Sequence, residues 1–188
     1  MTHLNSNWVL LTIFLFFNLS FTSYSQKNAN DAPLQKAPDF TLKDLSGKEV
    51  SMNEYKEKFL VIHIATTWCP FCNAEAPYLQ ALYEKYQSEN VEVLIIDVKE
   101  PESLVKSKLQ NKYNFTFPVL LDSDGNVAAS FAPENVLPDL ARDEVMLASN
   151  LIVDPEGNIQ FMSLLDSKNF DAKLISLQKR LNELLQEN

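Results

Sequence analysis

The sequence predicts an α/β domain, a mixed central sheet flanked by helices, and three observations carry that reading. Two nearly continuous apolar runs, residues 59–65 and 91–98, have strand length and suit strands buried on both faces. Each is followed by a stretch of helical character. The chain then closes with two short apolar runs around a turn and a final amphipathic stretch. The resulting order is strand, helix, strand, helix, antiparallel pair, helix.

The elements follow in chain order. The first 25 residues contain no Lys, Arg, Asp or Glu, and their core from Trp8 to Leu19 is apolar except for Thr12 and Asn18. Ser23-Tyr24-Ser25 then offers small residues where a signal peptidase reads. A core this short fits a signal peptide better than a membrane span, which needs about 20 residues. The amino-terminal stretch lacks the usual positive charge, which keeps a short uncleaved anchor as the alternative. No cysteine sits near the cleavage point, so a lipoprotein is not indicated. Either form puts the folded part outside the cytoplasm, in the periplasm or tethered to a membrane facing it. Residues 26–36 are polar and aperiodic and read as a flexible tether, leaving residues 37–188 as a single domain.

Within that domain, Phe40 to Leu42 and Glu49 to Ser51 flank Asp44-Leu45-Ser46-Gly47, a hairpin with a glycine turn, and a short helical turn follows over residues 53–57. After the first buried strand, Ala76, Leu79, Tyr83 and Tyr86 recur at helical spacing, with Pro77 expected to kink the helix. A second helix is expected over residues 101–112. Residues 118–121 and 127–130 flank Asp122-Ser123-Asp124-Gly125 and read as a hairpin. Residues 132–146 read as irregular. Residues 151–153 and 159–164 flank Asp154-Pro155-Glu156-Gly157, a further hairpin. Phe170, Leu174, Leu177, Leu181 and Leu184 mark a terminal amphipathic helix.

Both cysteines of the chain lie in Trp68-Cys69-Pro70-Phe71-Cys72, at the junction between the first buried strand and the helix after it. Three uses fit two thiols so placed: a reversible dithiol/disulfide, half of a zinc site, or packed core thiols. Zinc takes four ligands, and the only histidines are His3, inside the leader, and His63, so no second ligand pair exists and no metal is expected. Redox chemistry fits best. A helix N-terminus sets unpaired N–H groups and the positive dipole end beside the first sulfur, favouring thiolate. The second sulfur, one turn inside, is placed to attack a mixed disulfide. Cys69 is therefore the expected exposed nucleophile and Cys72 the resolving thiol. Pro70, with φ preset and no N–H to lose, suits the first helical turn, and the Pro70-Phe71 pair tunes the potential. The only cofactor expected is the Cys69–Cys72 disulfide itself.

The net charge of −9 falls wholly after the leader, which argues against nucleic acid and anionic membrane as partners. Two cysteines are also too few for a structural disulfide framework.

The element order and the Trp-Cys-x-x-Cys motif resemble the thioredoxin superfamily. The N-terminal hairpin, Ala37-Pro38-Asp39-Phe40-Thr41-Leu42, Phe117-Pro118-Val119-Leu120-Leu121-Asp122 and Ile152-Val153-Asp154-Pro155-Glu156-Gly157 narrow the resemblance to its extracytoplasmic TlpA/ResA-like thiol–disulfide oxidoreductases, over residues 37–187. The resemblance implies a thioredoxin-like fold with an extra N-terminal hairpin. It also implies exchange with protein thiols and disulfides, a lean toward reduction, and an upstream membrane electron donor. Pro77 matches the proline that kinks the active-site helix of the superfamily.

The resemblance assigns further positions. Glu75 matches a glutamate implicated in proton handling near the dithiol; otherwise it is an acid stabilising the helix start. His63 stands where thioredoxins bury an aspartate, and is either a proton relay for Cys72 or a structural core histidine. Trp68 offers an apolar docking face, or is ordinary packing. Ala148 and Ser149 fall in the substrate-binding loop, at the position where relatives carry a cis-proline; a trans peptide is expected here, because a cis bond without proline costs roughly 2.5–4 kcal/mol. Reading Pro118 as that proline would leave the following residues unexplained. The alternatives are a peroxiredoxin-like peroxidase using Thr66 and Arg142 around Cys69, and a non-catalytic binding module of the same fold. A copper chaperone would need one more residue between the cysteines and a downstream histidine, and the chain has neither.

Overall fold

The computed structural model describes residues 35–187; the leader and most of the tether lie outside the described residues. Eight strands form one sheet among them, in the order β1-β8-β7-β4-β5-β6-β2-β3. These are β1 (Gln35–Lys36), β2 (Thr41–Asp44), β3 (Glu49–Ser51), β4 (Phe59–Ala65), β5 (Val91–Val98), β6 (Val119–Asp122), β7 (Ser149–Val153) and β8 (Asn158–Ser163). The apolar runs β4 and β5 pair in parallel at the centre, and β6 continues the parallel set. Outside them run the antiparallel pairs β4–β7, β7–β8 and β2–β6, with β2–β3 as the expected hairpin. The last two residues read as tether form β1, which pairs with β8.

Alternation along β4 divides the core. Val61 and Ala65 face α1 (Pro70–Tyr86) and α6 (Ile175–Glu187), with Leu79, Leu82, Leu177 and Leu181 packed on them. Leu60, Ile62 and Ile64 face the other way, onto Phe131 and Met146. The first helix runs unbroken through Pro77. Proline supplies no N–H to the carbonyl four residues back, and that carbonyl, on Asn73, accepts instead from the Tyr113 hydroxyl at 3.2 Å. The second helical stretch consists of α2 (Glu102–Val105), a π turn (Lys106–Gln110) and α3 (Asn111–Tyr113).

Two sequence expectations are corrected. Residues 127–130 are not a strand but part of α4 (Asn126–Phe131). Gly125, with φ +77, turns the chain, and the Asp122 carboxylate accepts from the N–H groups of Val127 and Ala128, which caps a helix start. Ala128 and Phe131 then bury themselves at i and i+3. The terminal helix begins at Ile175 rather than Phe170, because Leu174 adopts φ +57 and Asp171 accepts from the Ser176 N–H at 2.7 Å. Phe170 instead meets Phe71 edge-on, ring centres 4.8 Å apart. The segment 132–146 is irregular apart from α5 (Arg142–Val145). Ala148 sits in a trans loop, at the register expected, and Pro118 precedes the parallel strand β6.

Among the described residues, no helix is long and apolar enough to cross a membrane.

Candidate active site

Strand β4 ends at Ala65, and the loop Thr66-Thr67-Trp68 delivers Cys69 as the N-cap of α1, with Pro70 at N1. The Cys69 Sγ accepts from the backbone N–H of Cys72 at 3.2 Å. Both thiols are free. The Cys72 thiol, donating to Cys69, pulls Cys69 down to about 6; burial opposes this, and the N–H groups of Cys72 and Phe71 add to it. Cys72 moves the other way, well above the ordinary thiol range, through its bond to Cys69, its burial and the Cys69 charge. The expectation of an exposed Cys69 is corrected: it is 4% exposed and Cys72 1%, because both thiols pack into the apolar cluster that includes Ala65 and Ala148. Trp68 beside them is 67% exposed.

Two side chains fasten that loop. Asn73, in the first turn of α1, donates from Nδ2 to the carbonyls of Thr67 and Cys69 at 2.9 and 2.8 Å. Its Oδ1 accepts from Tyr113 and Lys112. Glu100, just past β5, accepts from the Thr67 N–H and, at 2.7 Å, from its hydroxyl. Asp97, at the end of β5, is buried with neither carboxyl oxygen hydrogen-bonded, and burial followed by the Glu100 charge pushes it up to about 8.

Behind the dithiol lies a second polar group. Glu75 is buried, not a solvated acid at the helix start, and burial is the main force pushing it up to about 8; the Asn150 amide lowers it while the charges of Cys69 and Asp171 raise it. It lines a cavity of about 140 Å³ with Ala148, Asn150, Phe170 and Leu174. His63 and Asn150 face each other directly across the β4–β7 pair, and His63 Nδ1 lies 2.9 Å from Asn150 Oδ1. Asn150 Nδ2 donates to Glu75 Oε1 at 2.9 Å. Burial pushes His63 down to about 4, against its bond to Asn150 and the smaller pull of the nearby Ser149 backbone, so the ring is neutral at neutral pH.

The structure thus gathers Cys69, Cys72, Ala148, Glu75 and His63 on one face of the sheet, beneath the helix start. Phe71 packs on Phe170, and Ser149 is buried in β7. Arg142 is committed elsewhere, its guanidinium donating to the carbonyls of Pro133 and Val136. Asn73, Asp97, Glu100 and Asn150 escaped the sequence reading; for Asn150 and Asp97 the signal was a polar residue inside an otherwise apolar strand. Among the described residues there is no group of three or more His, Cys, Asp or Glu that could hold a metal ion.

Comparison with known proteins agrees with this geometry. Residues 33–162 match the AhpC/TSA family. Thiol-disulfide oxidoreductase ResA of Bacillus thuringiensis (strain Al Hakam) is 31% identical over 154 residues, covering 80% of this chain and 82% of its own. A secreted Mycobacterium tuberculosis disulfide oxidoreductase superposes with a TM-score of 0.61 at 24% identity, over 77% of this chain and 95% of that one. A thiol:disulfide interchange protein of Chlorobium tepidum gives 0.62 at 19% identity, over 82% and 97%. These last two share the thioredoxin-like fold. The chain belongs to the AhpC/TSA family, among its ResA-like thiol–disulfide oxidoreductases.

Proposed function

We propose that this thiol–disulfide oxidoreductase works outside the cytoplasm as a reductase of protein disulfides. Cys69 is the nucleophile, Cys72 the resolving thiol and Glu75 the nearby acid–base group. The observation that carries the reading is the paired thiol geometry: Cys69 Sγ caps the helix and accepts from the Cys72 N–H, and the pairing of the two thiols lowers the Cys69 pKa and raises that of Cys72.

The Cys69 thiolate attacks one sulfur of the substrate disulfide, forming a mixed disulfide and releasing the other as thiolate. Cys72 then gives up its proton and attacks the Cys69 sulfur. The internal disulfide forms, the second substrate thiolate leaves, and two electrons have passed to the substrate. Glu75, buried beside the pair with one oxygen unbonded, takes the Cys72 proton. A membrane-held dithiol donor then returns two electrons to the Cys69–Cys72 disulfide, so no further cofactor is needed. Trp68, exposed beside the sulfurs, supplies an apolar face for the substrate chain, next in sequence to Pro70 and Phe71, while Ala148 and Ser149, both buried, line the loop behind it by backbone rather than by side chain.

Export rests on the apolar, uncharged leader and on the secreted M. tuberculosis relative of the fold; the leader's alternative role as a tether would hold the domain near its donor. Reduction rests on the resemblance and on Cys69 itself. A thiol near 6 stands closer to thioredoxin's, about 7, than to that of the oxidant DsbA, about 3.5.

The test is to incubate Cys72→Ser and Cys69→Ser with a disulfide-bonded protein substrate and look for trapped mixed disulfides. Only Cys72→Ser should trap one; the opposite pattern exchanges the two roles. The reduction potential decides direction: about −270 mV supports the reductase and about −120 mV overturns it.

A further inference from the structure

The group behind the dithiol carries an assignment that neither the family nor the sequence provides. His63 on β4, Asn150 on β7 and Glu75 on α1 form one hydrogen-bonded line in which every member is buried. Its ends are two unpartnered atoms, His63 Nε2 and Glu75 Oε2; Oε2 also stands 3.6 Å from His63 Nδ1. An amide offers one acceptor and one donor end, so the line has only two polarities. In one, His63 Nδ1–H donates to Asn150 Oδ1 and the Asn150 N–H donates to Glu75 Oε1. In the other the amide is turned over and Nε2 must carry the imidazole proton, leaving a buried N–H with no acceptor. Orphaned buried donors are rarer and costlier than under-used acceptors. The first polarity leaves only a bare lone pair at Nε2.

We infer that Asn150, oriented by His63, is a positioning residue: its N–H occupies Glu75 Oε1, so that Oε2 is the oxygen that takes and returns the proton of the dithiol. This rests on the reading of Glu75 as the acid–base group. An N–H aimed at a carboxyl favours its ionised form, so Asn150 offsets part of what burial does to Glu75 and keeps it able to ionise near neutral pH. The other titratable groups facing Glu75 are His63 from β4, Cys69 and Cys72 from the start of α1, and Asp166 and Asp171 from the segment before α6. His63 stays neutral over the range in question. Asp171 is held below the ordinary carboxylate range by the N–H and hydroxyl groups around Ser176, and Asp166 by the Asn169 side-chain amide and the Lys168 N–H, so both are charged throughout.

The experiment is the pH profile of Cys69 alkylation by iodoacetamide in the reduced full chain. Glu75→Gln identifies the inflection that belongs to Glu75. Asn150→Leu should move that inflection up by about one pH unit, a tenfold change in the ionisation constant, and leave the lower Cys69 inflection in place. Asn150→Ala serves if the leucine does not fold. His63→Leu should move it in the same direction, and His63→Gln, which keeps a donor, should restore it. If Asn150→Leu leaves the Glu75 inflection unmoved, or moves it down as the turned amide requires, the assignment is overturned while the Glu75 reading stands. If Glu75→Gln removes no inflection, the Glu75 reading itself falls, and with it the role given to Asn150.

Discussion

The backbone N–H of Ala148 donates to the carbonyl of Ile64 at 2.9 Å, a bond that a proline at this position cannot make. Ala148 reaches it with φ +59, in the left-handed region. The amides on either side are also taken, Leu147 by the Glu144 carbonyl at 3.2 Å and Ser149 by that of Met146 at 3.0 Å. Three consecutive N–H groups of the loop facing the dithiol are therefore satisfied within the chain. This stretch of the loop thus offers no free backbone donor to a segment that would dock against it.

Restoring proline therefore damages this protein. Ala148→Pro loses the bond to Ile64 and forces φ from the left-handed region to near −65°, which together should cost about 3 kcal/mol or more. Ala148→Gly relieves the left-handed strain but loosens the unfolded chain, so it should stay within about 1 kcal/mol of the parent. Urea unfolding of the reduced proteins checks both. An Ala148→Pro variant as stable as the parent would show that the loop readily adopts another path.

The low Cys69 value rests first on the Cys72 thiol. Cys72→Ala removes that donor while leaving the helix N–H groups, so the Cys69 thiolate absorbance should titrate about one unit or more higher. Cys72→Ser keeps a hydroxyl donor and should shift it less. Equal titration in all three proteins would assign the shift to the helix terminus alone.

Much of this fold was legible because burial on both faces leaves a local mark. Residues 59–65 are apolar but for His63, and 91–98 but for Glu92 and Asp97, and both became central parallel strands. The Cys69–Cys72 spacing at a strand–helix junction was equally local, whereas Ala148 was placed ahead of β7 only by the family's spacing back from Asp154. Residues 127–130 misled because a short apolar run after an Asp-Gly turn fits a strand as well as a helix; the deciding contact, from Asp122 to the N–H groups of Val127 and Ala128, lies outside the run. Asn150 was hidden for a different reason. Its partners His63 and Glu75 lie 87 and 75 residues away, and only the β4–β7 register brings them together.

Asp97 makes stability depend on pH. Its folded value is raised to about 8 from an ordinary 3.8, so between those values the folded chain holds a proton that the unfolded chain has lost. Stability is therefore full below about pH 4 and falls as pH rises through 8. Asp97→Asn removes this contribution and should be more stable than the parent at pH 8.5 but not at pH 4, as read from urea midpoints at the two pH values. Glu75 titrates in the same direction, so the variant's remaining slope should flatten only when Glu75→Gln is added. A parent-like slope in Asp97→Asn would mean that Asp97 stays ionised in the folded state.

Pro77 and Tyr113 should prove energetically coupled. The proline leaves the Asn73 carbonyl without a helical donor, and the Tyr113 hydroxyl serves both that carbonyl, at 3.2 Å, and Asn73 Oδ1, at 2.8 Å. Tyr113→Phe should cost about 1 kcal/mol, because it strands a partly buried acceptor. Pro77→Ala supplies the missing N–H to the same carbonyl. In that background, Tyr113→Phe should cost roughly half a kcal/mol less, leaving the part due to Asn73 Oδ1. A double-mutant cycle by urea unfolding measures the difference. Asn73 also holds the Thr67 and Cys69 carbonyls, so the same cycle read by Cys69 alkylation rate reports whether the hydroxyl steadies the nucleophile's loop. Strict additivity in both readouts would mean that the carbonyl is served equally well by water and that Tyr113 acts through packing alone.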